Sequence, residues 1–180
     1  MTEFSSLRLQ PALLQGVADL GYAAMTPIQA GSLPPILEGR DVIAQARTGS
    51  GKTAAFGLGL LSRLDPAIAR VQALVLCPTR ELADQVTTEI RRLARADDNI
   101  KVVTLCGGVP LRGQLATLEN GAHIVVGTPG RLRDHLERGN LQIGGLKAAV
   151  LDEADEMLDL GFREEIEEIL DATPEDRRTL

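Results

Sequence analysis

Short apolar runs alternate along the chain with longer segments in which apolar residues recur every three or four positions. The apolar runs predict strands at residues 41–45, 71–77, 102–106, 123–126 and 148–151. The periodic segments predict helices at residues 54–64, 79–95, 111–118, 131–137 and 163–170. This alternation predicts an α/β fold, a doubly wound parallel sheet with helices on both faces.

The chain reads as one main domain preceded by a short extension. We interpret residues 1–30 as the extension and residues 31–180 as the domain. Residues 177–180 look like the opening of a further strand after the turn-forming Pro174, Glu175 and Asp176. We therefore expect the sequence to stop before the last strand or strands of this domain.

The segment 46–53, Ala-Arg-Thr-Gly-Ser-Gly-Lys-Thr, carries the strongest chemical signal. Its two glycines allow a tight turn in which the N–H groups of Thr48, Gly49, Ser50 and Gly51 point at phosphate oxygens. The next helix adds its positive N-terminal end, Lys52 can reach the terminal phosphates, and the Thr53 hydroxyl can ligate Mg²⁺. The segment therefore predicts a nucleotide phosphate loop; the alternative is a plain turn before a helix, and Ala46 departs from the usual glycine.

Two adjacent carboxylates, Asp152 and Glu153, follow the apolar run 148–151. Where a strand ends the chain turns, so both side chains can face one cavity. Asp152 then suits Mg²⁺, partly through water, and Glu153 suits orienting and deprotonating an attacking water. The alternative is a solvated acidic start of a helix. The phosphate loop upstream in the same sheet favours the catalytic interpretation, with Lys52, Asp152 and Glu153 as the catalytic residues.

Composition excludes several classes of protein. The chain of 180 residues is 44% hydrophobic and 2% aromatic, so aliphatic side chains must build its core. No apolar run approaches about 18 residues, and the N-terminus lacks the pattern of a signal peptide, so we expect no membrane association. Cys77 and Cys106 read as buried thiols of a reducing cytoplasm, and His123 and His135 lack spaced metal-ligand partners.

The net charge of −6 argues against nucleic-acid binding by bulk electrostatics, but it leaves room for a local binding strip. Three loops follow predicted strands at one edge of the sheet: Pro78-Thr79-Arg80, Gly107-Gly108 and Thr128-Pro129-Gly130-Arg131. Their hydroxyls, N–H groups and guanidinium groups suit phosphates and sugars, and their position favours single-stranded RNA or DNA without much sequence preference. The alternative is a set of ordinary turns with surface arginines.

An adenine-recognition element precedes the phosphate loop. Gln29 follows Thr26-Pro27-Ile28, and its amide offers a donor and an acceptor that match the N6/N7 edge of adenine. Phe4 supplies a ring that can stack on the base. The alternative for Gln29 is an ordinary residue at a helix start.

These motifs, with Asp152-Glu153-Ala154-Asp155, resemble in content and order the first RecA-like domain of a DEAD-box ATP-dependent RNA helicase. The resemblance covers almost the whole chain; Ala46 is usual in the family, and Met25 replaces a frequent proline. It implies a P-loop NTPase fold and ATP with Mg²⁺ as cofactors. Phe4, Gln29 and residues 48–53 would bind the nucleotide, and the three strand-end loops would bind RNA. Asp155 would couple the nucleotide site to a Ser-Ala-Thr element that follows soon afterwards in the family and is missing from this sequence.

The family implies further parts that this sequence lacks: a second RecA-like domain that closes over ATP and any separate RNA-recognition domain. Segments 56–61, 72–77, 83–86 and 104–108 resemble a bacterial subgroup that acts on large-subunit ribosomal RNA. Two other functions stay open: an ATP-gated RNA clamp or assembly platform, and a P-loop ATPase acting on DNA or protein.

Overall fold

The computed structural model describes residues 3–180. A single 3₁₀ turn, Phe4–Ser6, precedes the regular elements. The helices are α1 (Pro11–Asp19), α2 (Pro27–Glu38), α3 (Lys52–Leu61), α4 (Arg80–Leu93), α5 (Leu111–Glu119), α6 (Pro129–Glu137), α7 (Ala154–Asp159) and α8 (Arg163–Asp171). The strands are β1 (Ala73–Leu76), β2 (Val102–Leu105), β3 (Ile124–Gly127), β4 (Ala148–Leu151) and β5 (Arg178–Thr179).

The strands form one parallel sheet in the order β2-β3-β1-β4-β5. The chain moves outward from β1 to β2, returns to β3, and then crosses β1 to reach β4 on its other side. Such a reversal of strand order creates a crevice at the carboxyl edge of the sheet, where ligands of this fold bind. The predicted doubly wound parallel α/β fold is confirmed.

The sheet is buried on both faces because alternate side chains of each strand point to opposite sides. In β1, Ala73 and Val75 pack with α1, α3 and α4, whereas Leu74 and Leu76 pack with α6, α7 and α8. Phe4 and Leu13, within the predicted extension 1–30, belong to the first of these two cores. Residues 1 and 2 of that extension lie outside the described residues.

The predicted strand 41–45 is not a strand in the structure. The Val42 N–H donates to the Thr179 carbonyl at 3.2 Å, and the Thr179 N–H donates to the Asp41 carboxylate rather than to a backbone carbonyl. Ile43 is fully exposed. A strand needs a ladder of backbone hydrogen bonds, and the two-residue β5 supplies only one bond to this segment.

Three helices, α1, α2 and α7, lie where the apolar pattern indicated no helix. Helix α2 begins with a proline and contains Pro34 and Pro35, which weaken a helical interpretation of the sequence. The short opening at 177–180 does form a strand, β5. Of the helices that the structure describes, none is long and apolar enough to span a membrane.

Candidate nucleotide and nucleic-acid site

Four strands end in one row, and this row brings the motifs together. Leu76 of β1 pairs in register with Gly127 of β3 and Leu151 of β4, and Gly127 pairs with Leu105 of β2. The loops that begin at Cys77, Cys106, Thr128 and Asp152 therefore leave the sheet at the same level. Residues far apart in sequence thus meet at the carboxyl edge, as the sequence predicts.

The phosphate loop has the backbone that its glycines permit. Gly49 and Gly51 adopt φ values of 80° and 92°, in the left-handed region that favours glycine. The Ser50 N–H closes the turn on the Arg47 carbonyl at 3.2 Å. Helix α3 begins directly afterwards at Lys52, with Gly51 as its N-cap. The free N–H groups of its first turn and its dipole therefore favour an anion at this loop.

Lys52 and Glu153 form an ion pair across the site, with Lys52 Nζ 3.4 Å from Glu153 Oε1. The side chains are 21% and 26% exposed, so the pair lies in a cleft rather than on open surface. The two residues are 101 positions apart in sequence. The structure therefore joins the predicted phosphate-binding lysine to the predicted catalytic carboxylate.

Asp152 is the most perturbed carboxylate of the site. It is 7% exposed, and burial, followed by the negative charge of Glu153, raises its pKa from 3.8 to about 6. The Lys52 charge and a backbone hydrogen bond from Glu153 lower the pKa in part. A buried carboxylate with a raised pKa, beside a second acid, is typical of functional sites because a cation relieves its desolvation.

Glu153 carries backbone strain. Its φ of 54° makes it the only non-glycine among the described residues in the left-handed region. Such a conformation costs on the order of 1–3 kcal/mol and persists at functional sites when the surroundings hold it. Here it turns the chain from β4 into α7 and lets the Glu153 carboxylate face Lys52.

The donor set fits a metal that arrives with phosphate. Among residues 3–180, no group of three or more His, Cys, Asp or Glu side chains could hold a metal ion by itself. The site offers a buried carboxylate on Asp152 and a hydroxyl on Thr53, in the first turn of α3. Mg²⁺ commonly takes only one or two protein ligands and completes its shell with phosphate oxygens and water.

Gln29 lies against the phosphate loop and is 3% exposed. Its Oε1 accepts from the Thr26 N–H at 2.9 Å, and its Nε2 donates to the Gly51 carbonyl at 3.1 Å. The amide therefore links the start of α2 to the loop. One donor hydrogen and one acceptor lone pair remain for a base edge.

Phe4 is 4% exposed and stacks on Tyr22, with ring centroids 6.5 Å apart and the planes inclined at 23°. Tyr22 is the partly exposed ring of this pair, and its hydroxyl donates to Glu89 Oε1 at 2.9 Å. Buried Phe4 offers little open surface to a base. The spacing of the two rings in the sequence gives no sign of their stacking, so a role for Tyr22 could not be predicted from it.

The three predicted nucleic-acid loops are neighbours. Arg131 Nη1 donates to the Val109 carbonyl at 3.0 Å, which joins the start of α6 to the loop after β2. Arg80 Nη1 lies 3.5 Å from the position of a Cβ on Gly108, which joins α4 to the same loop. Within these loops Gly107, Gly108, Gly130 and Arg80 are exposed, Thr79, Thr128 and Arg131 are partly buried, and Pro78 and Pro129 are buried.

A buried polar network, absent from the sequence interpretation, supports this strip. Gln114 Oε1 accepts from Arg131 Nη1 at 3.0 Å and lies 2.8 Å from His135 Nε2, while Gln114 Nε2 donates to the Cys106 carbonyl at 2.8 Å. Since Gln114 Oε1 can only accept, His135 Nε2 carries the proton. Burial, followed by the Arg131 charge, lowers the pKa of His135 and keeps it neutral.

Asp155 is exposed in the first turn of α7, where its carboxylate accepts from the Glu156 N–H at 3.0 Å. It lies three residues after Asp152, beyond the strained turn at Glu153. Among the described contacts it makes no bond to the nucleic-acid loops. Its coupling role therefore stays a prediction.

Comparison with known proteins identifies the family of the chain. Residues 26–180 match the family model of the DEAD/DEAH box helicase. The chain is 55% identical, over its whole length, to the ATP-dependent RNA helicase DbpA of Escherichia coli (strain K12), of which it covers 40%. It is 48% identical to the ATP-dependent RNA helicase CshA of Limosilactobacillus reuteri, covering 99% of this chain and 36% of that protein. The chain thus spans well under half of these relatives.

Solved structures give the same result. A DEAD box protein from the hyperthermophile Methanococcus jannaschii superposes on the whole chain with a TM-score of 0.95 and 40% identity, and the match covers 49% of that protein. Dbp5 of S. cerevisiae bound to RNA and ADP BeF3 gives a TM-score of 0.89 and 33% identity, with 99% of this chain and 45% of that chain covered. The predicted family resemblance is confirmed.

Proposed function

Because this chain belongs to the DEAD/DEAH box helicase family, we propose that it is the ATP- and RNA-binding motor domain of an ATP-dependent RNA-remodelling enzyme. The observation that carries the proposal is the meeting of two sites at one edge of the sheet. The Lys52–Glu153 pair joins the start of α3 to the turn after β4, beside buried Asp152. The three loops follow β1, β2 and β3, which end level with β4 at the same edge.

ATP is the proposed substrate of the first site. The N–H groups of residues 48–53 bind its phosphates. Lys52 breaks its ion pair with Glu153 and neutralises the negative charge of the phosphates. The released Glu153 carboxylate then orients the attacking water and accepts its proton. Thr53 and Asp152 would hold Mg²⁺, which when bound offsets negative charge on the phosphate oxygens.

The nucleotide base lies on the α2 side of the loop in this proposal. Gln29 uses its remaining donor and acceptor on the adenine edge while it stays bonded to Gly51. The stacked Phe4–Tyr22 pair forms the aromatic support, with Tyr22 presenting the more exposed ring. Binding of the base is thereby connected to the backbone of the phosphate loop.

RNA is the proposed ligand of the second site. Arg80 and Arg131 contact phosphates, and the exposed glycines at 107, 108 and 130 let the RNA backbone approach the N–H groups of the loops. Only 2% of the chain is aromatic, so stacking on bases contributes little to RNA binding. The three loops bind the sugar-phosphate backbone of a single strand instead. Asp155 is proposed to couple the nucleotide site to the Ser-Ala-Thr element of this family.

A second RecA-like domain of the same longer protein is the proposed partner that completes catalysis. It would close over ATP and supply arginines, which are worth about 10³–10⁵ in rate in P-loop enzymes. We further propose action on ribosomal RNA during large-subunit assembly in the cytoplasm. The 55% identity to DbpA and the buried thiols of Cys77 and Cys106 support this.

The test is an ATPase assay of the longer protein with RNA and DNA added in parallel. We expect RNA to stimulate hydrolysis and Lys52→Ala to abolish it, because Lys52 neutralises the phosphates. Lys101→Ala is the matched control, since Lys101 is exposed and, among residues 3–180, its ammonium donates only to the Asn120 carbonyl. Stimulation by DNA alone would overturn the RNA assignment, and stable RNA binding with very slow turnover would favour an ATP-gated clamp.

A further inference from the structure

A second concave site lies at the opposite edge of the sheet. A cavity of about 650 Å³ opens at the amino ends of β1, β4 and β5, where Ala73, Ala148 and Arg178 line it. The strands run parallel, so this edge is separated from the nucleotide loops by the length of the sheet. The cavity therefore belongs neither to the proposed ATP site nor to the proposed RNA strip.

Four cationic side chains surround this cavity: Arg63, Arg70, Lys147 and Arg178. We call the cavity with these four side chains the basic cavity. Asp176 is the only acidic residue in the lining. None of the four cations has a carboxylate within 4.0 Å among the described residues. In a chain whose net charge is −6, this is a local reversal of charge.

Two of the guanidinium groups converge. Arg63 Nη2 lies 3.0 Å from the position that a Cβ on Gly39 would occupy, and Arg178 Nη2 lies closer still to the same point. Arg63 is held there by a hydrogen bond from Nη2 to the Leu37 carbonyl at 2.5 Å. Burial and the Arg63 charge both lower the pKa of Arg178, while Asp41 raises it. The chain therefore holds two like charges together at a cost that an anion would relieve.

The other two cations are positioned at the same cavity. Lys147 Nζ donates to the Arg63 carbonyl at 3.5 Å. The guanidinium carbon of Arg70 lies 3.0 Å from the position of a Cβ on Gly145, so this glycine makes room for the arginine. A backbone carbonyl thus orients Lys147, and Gly145 leaves space for Arg70, so both charges lie at the cavity.

We propose that the basic cavity binds a phosphate group. A carboxylate brings one charge and two oxygens, whereas a phosphate group brings more acceptor oxygens, and an arginine fork matches its geometry with two parallel hydrogen bonds. A cluster of four cations against one acid suits the more highly charged ligand. The phosphate can come from an RNA backbone or from a free polyphosphate, and the experiments below separate these sources.

The first experiment measures thermal unfolding of the chain with and without inorganic pyrophosphate. It uses a Lys52→Ala background to weaken binding at the phosphate loop, whose remaining N–H groups are the same in all the variants compared. We expect pyrophosphate to raise the Tm, because a ligand that binds only the folded state stabilises it. Arg63→Gln with Arg178→Gln should remove most of this rise. Arg92→Gln with Arg95→Gln, an equal change of charge on exposed arginines within and just after α4, should preserve it.

A Tm rise that survives undiminished in the Arg63→Gln/Arg178→Gln variant, or no rise in the parent, would overturn the proposal. Should that variant fold poorly, Arg63→Lys with Arg178→Lys keeps the charges and removes only the forks, and we expect it to reduce the rise.

The second experiment identifies the source of the phosphate. Affinity of the longer protein for an RNA hairpin is measured as a function of salt. If RNA supplies the phosphate, the double Gln variant should reduce the magnitude of the salt slope by about 1–2. An unchanged slope together with the pyrophosphate result assigns the site to a free polyphosphate. Neither outcome depends on the ATPase assay of Lys52→Ala, so the proposed function and the proposed phosphate site can be contradicted independently.

Discussion

The carboxylate of Asp152 shows how a functional residue can destabilise its own fold. In the unfolded chain this carboxyl group has its ordinary pKa of 3.8, but in the folded chain its pKa is about 6. The folded state therefore binds more protons than the unfolded state at pH values between these two. Folding stability from this group is therefore fully present below about pH 4 and is lost as the pH rises through 6. At neutral pH without a cation the buried charge opposes folding.

Asp152→Asn should accordingly stabilise the metal-free chain at pH 8 by about 1–3 kcal/mol, the size of the two-unit pKa shift, which already includes the attraction to Lys52. The gain should shrink towards pH 5, because the wild-type carboxyl then takes up its proton. Urea unfolding in EDTA at both pH values measures this difference. An equal gain at the two pH values would show that the pKa is not raised, and the ATPase of the longer protein should be lost in either case.

The aromatic pair gives a second prediction for single residues. Phe4→Ala should destabilise the fold by about 3–5 kcal/mol, because Phe4 is 4% exposed in the core. Tyr22→Ala should instead weaken ATP binding more than it lowers stability, and Tyr22→Phe, which loses only the bond to Glu89, should bind ATP nearly normally. Titration with a fluorescent ATP analogue beside urea unfolding separates these effects. Equal loss of ATP affinity and stability in Tyr22→Ala would contradict the role of this ring.

Between elements, Gln29 connects the start of α2 to the phosphate loop. A Cβ on Gly51 would lie 2.5 Å from Gln29 Nε2, and the φ of 92° at this position also disfavours a side chain. Gly51→Ala should therefore displace Gln29 and weaken binding of ATP and GTP alike. Gln29→Ala should leave the fold intact and weaken ATP binding selectively. Calorimetric titration of both nucleotides tests this, and equal binding of GTP and ATP by the unmutated chain would contradict adenine recognition.

The network around Gln114 connects α5, α6 and the loop after β2. Gln114→Leu would leave the Arg131 guanidinium, the His135 N–H and the Cys106 carbonyl without their partner, at a cost of about 1–3 kcal/mol for a buried group. We expect weaker RNA binding and unchanged ATP binding, because Arg131 loses its support. Thr117→Ala, an exposed change on the same helix, is the control. Unchanged RNA affinity with lowered stability would show that Gln114 is only structural.

The pattern of apolar residues predicted some secondary-structure elements correctly and others not. The strand β4 was predicted with its observed bounds, because a fully buried parallel strand reads as a continuous apolar run. The prediction of a strand at 41–45 was wrong, since strand structure also requires a bonded neighbour, which composition cannot show. The position of each loop directly after a predicted parallel strand predicted their grouping at one edge of the sheet. The Lys52–Glu153 pair and the Gln114 network depend on tertiary contacts that no short pattern records.

At the scale of the whole molecule, the chain covers 40% of the E. coli relative DbpA. The proposed catalytic residues of this chain are Lys52, Asp152 and Glu153. In the proposal they bind and orient the phosphates of ATP from one side only. A second RecA-like domain is expected to exclude water and add arginines, so a protein containing both domains should hydrolyse ATP about 10³–10⁵ times faster than this chain alone. Nucleotide binding to the chain alone should be weak but measurable.

Steady-state ATPase assays of the 180-residue chain and of the longer protein, both with saturating RNA, test this expectation. Glu153→Gln in the longer protein is the matched comparison, because it keeps the phosphate contacts of Lys52 and removes the carboxylate that accepts the proton from water. It should bind ATP and RNA but hydrolyse ATP as slowly as the chain alone does. Duplex unwinding by the purified chain would contradict the requirement for a second domain, since one domain would then hold, activate and bend the RNA by itself.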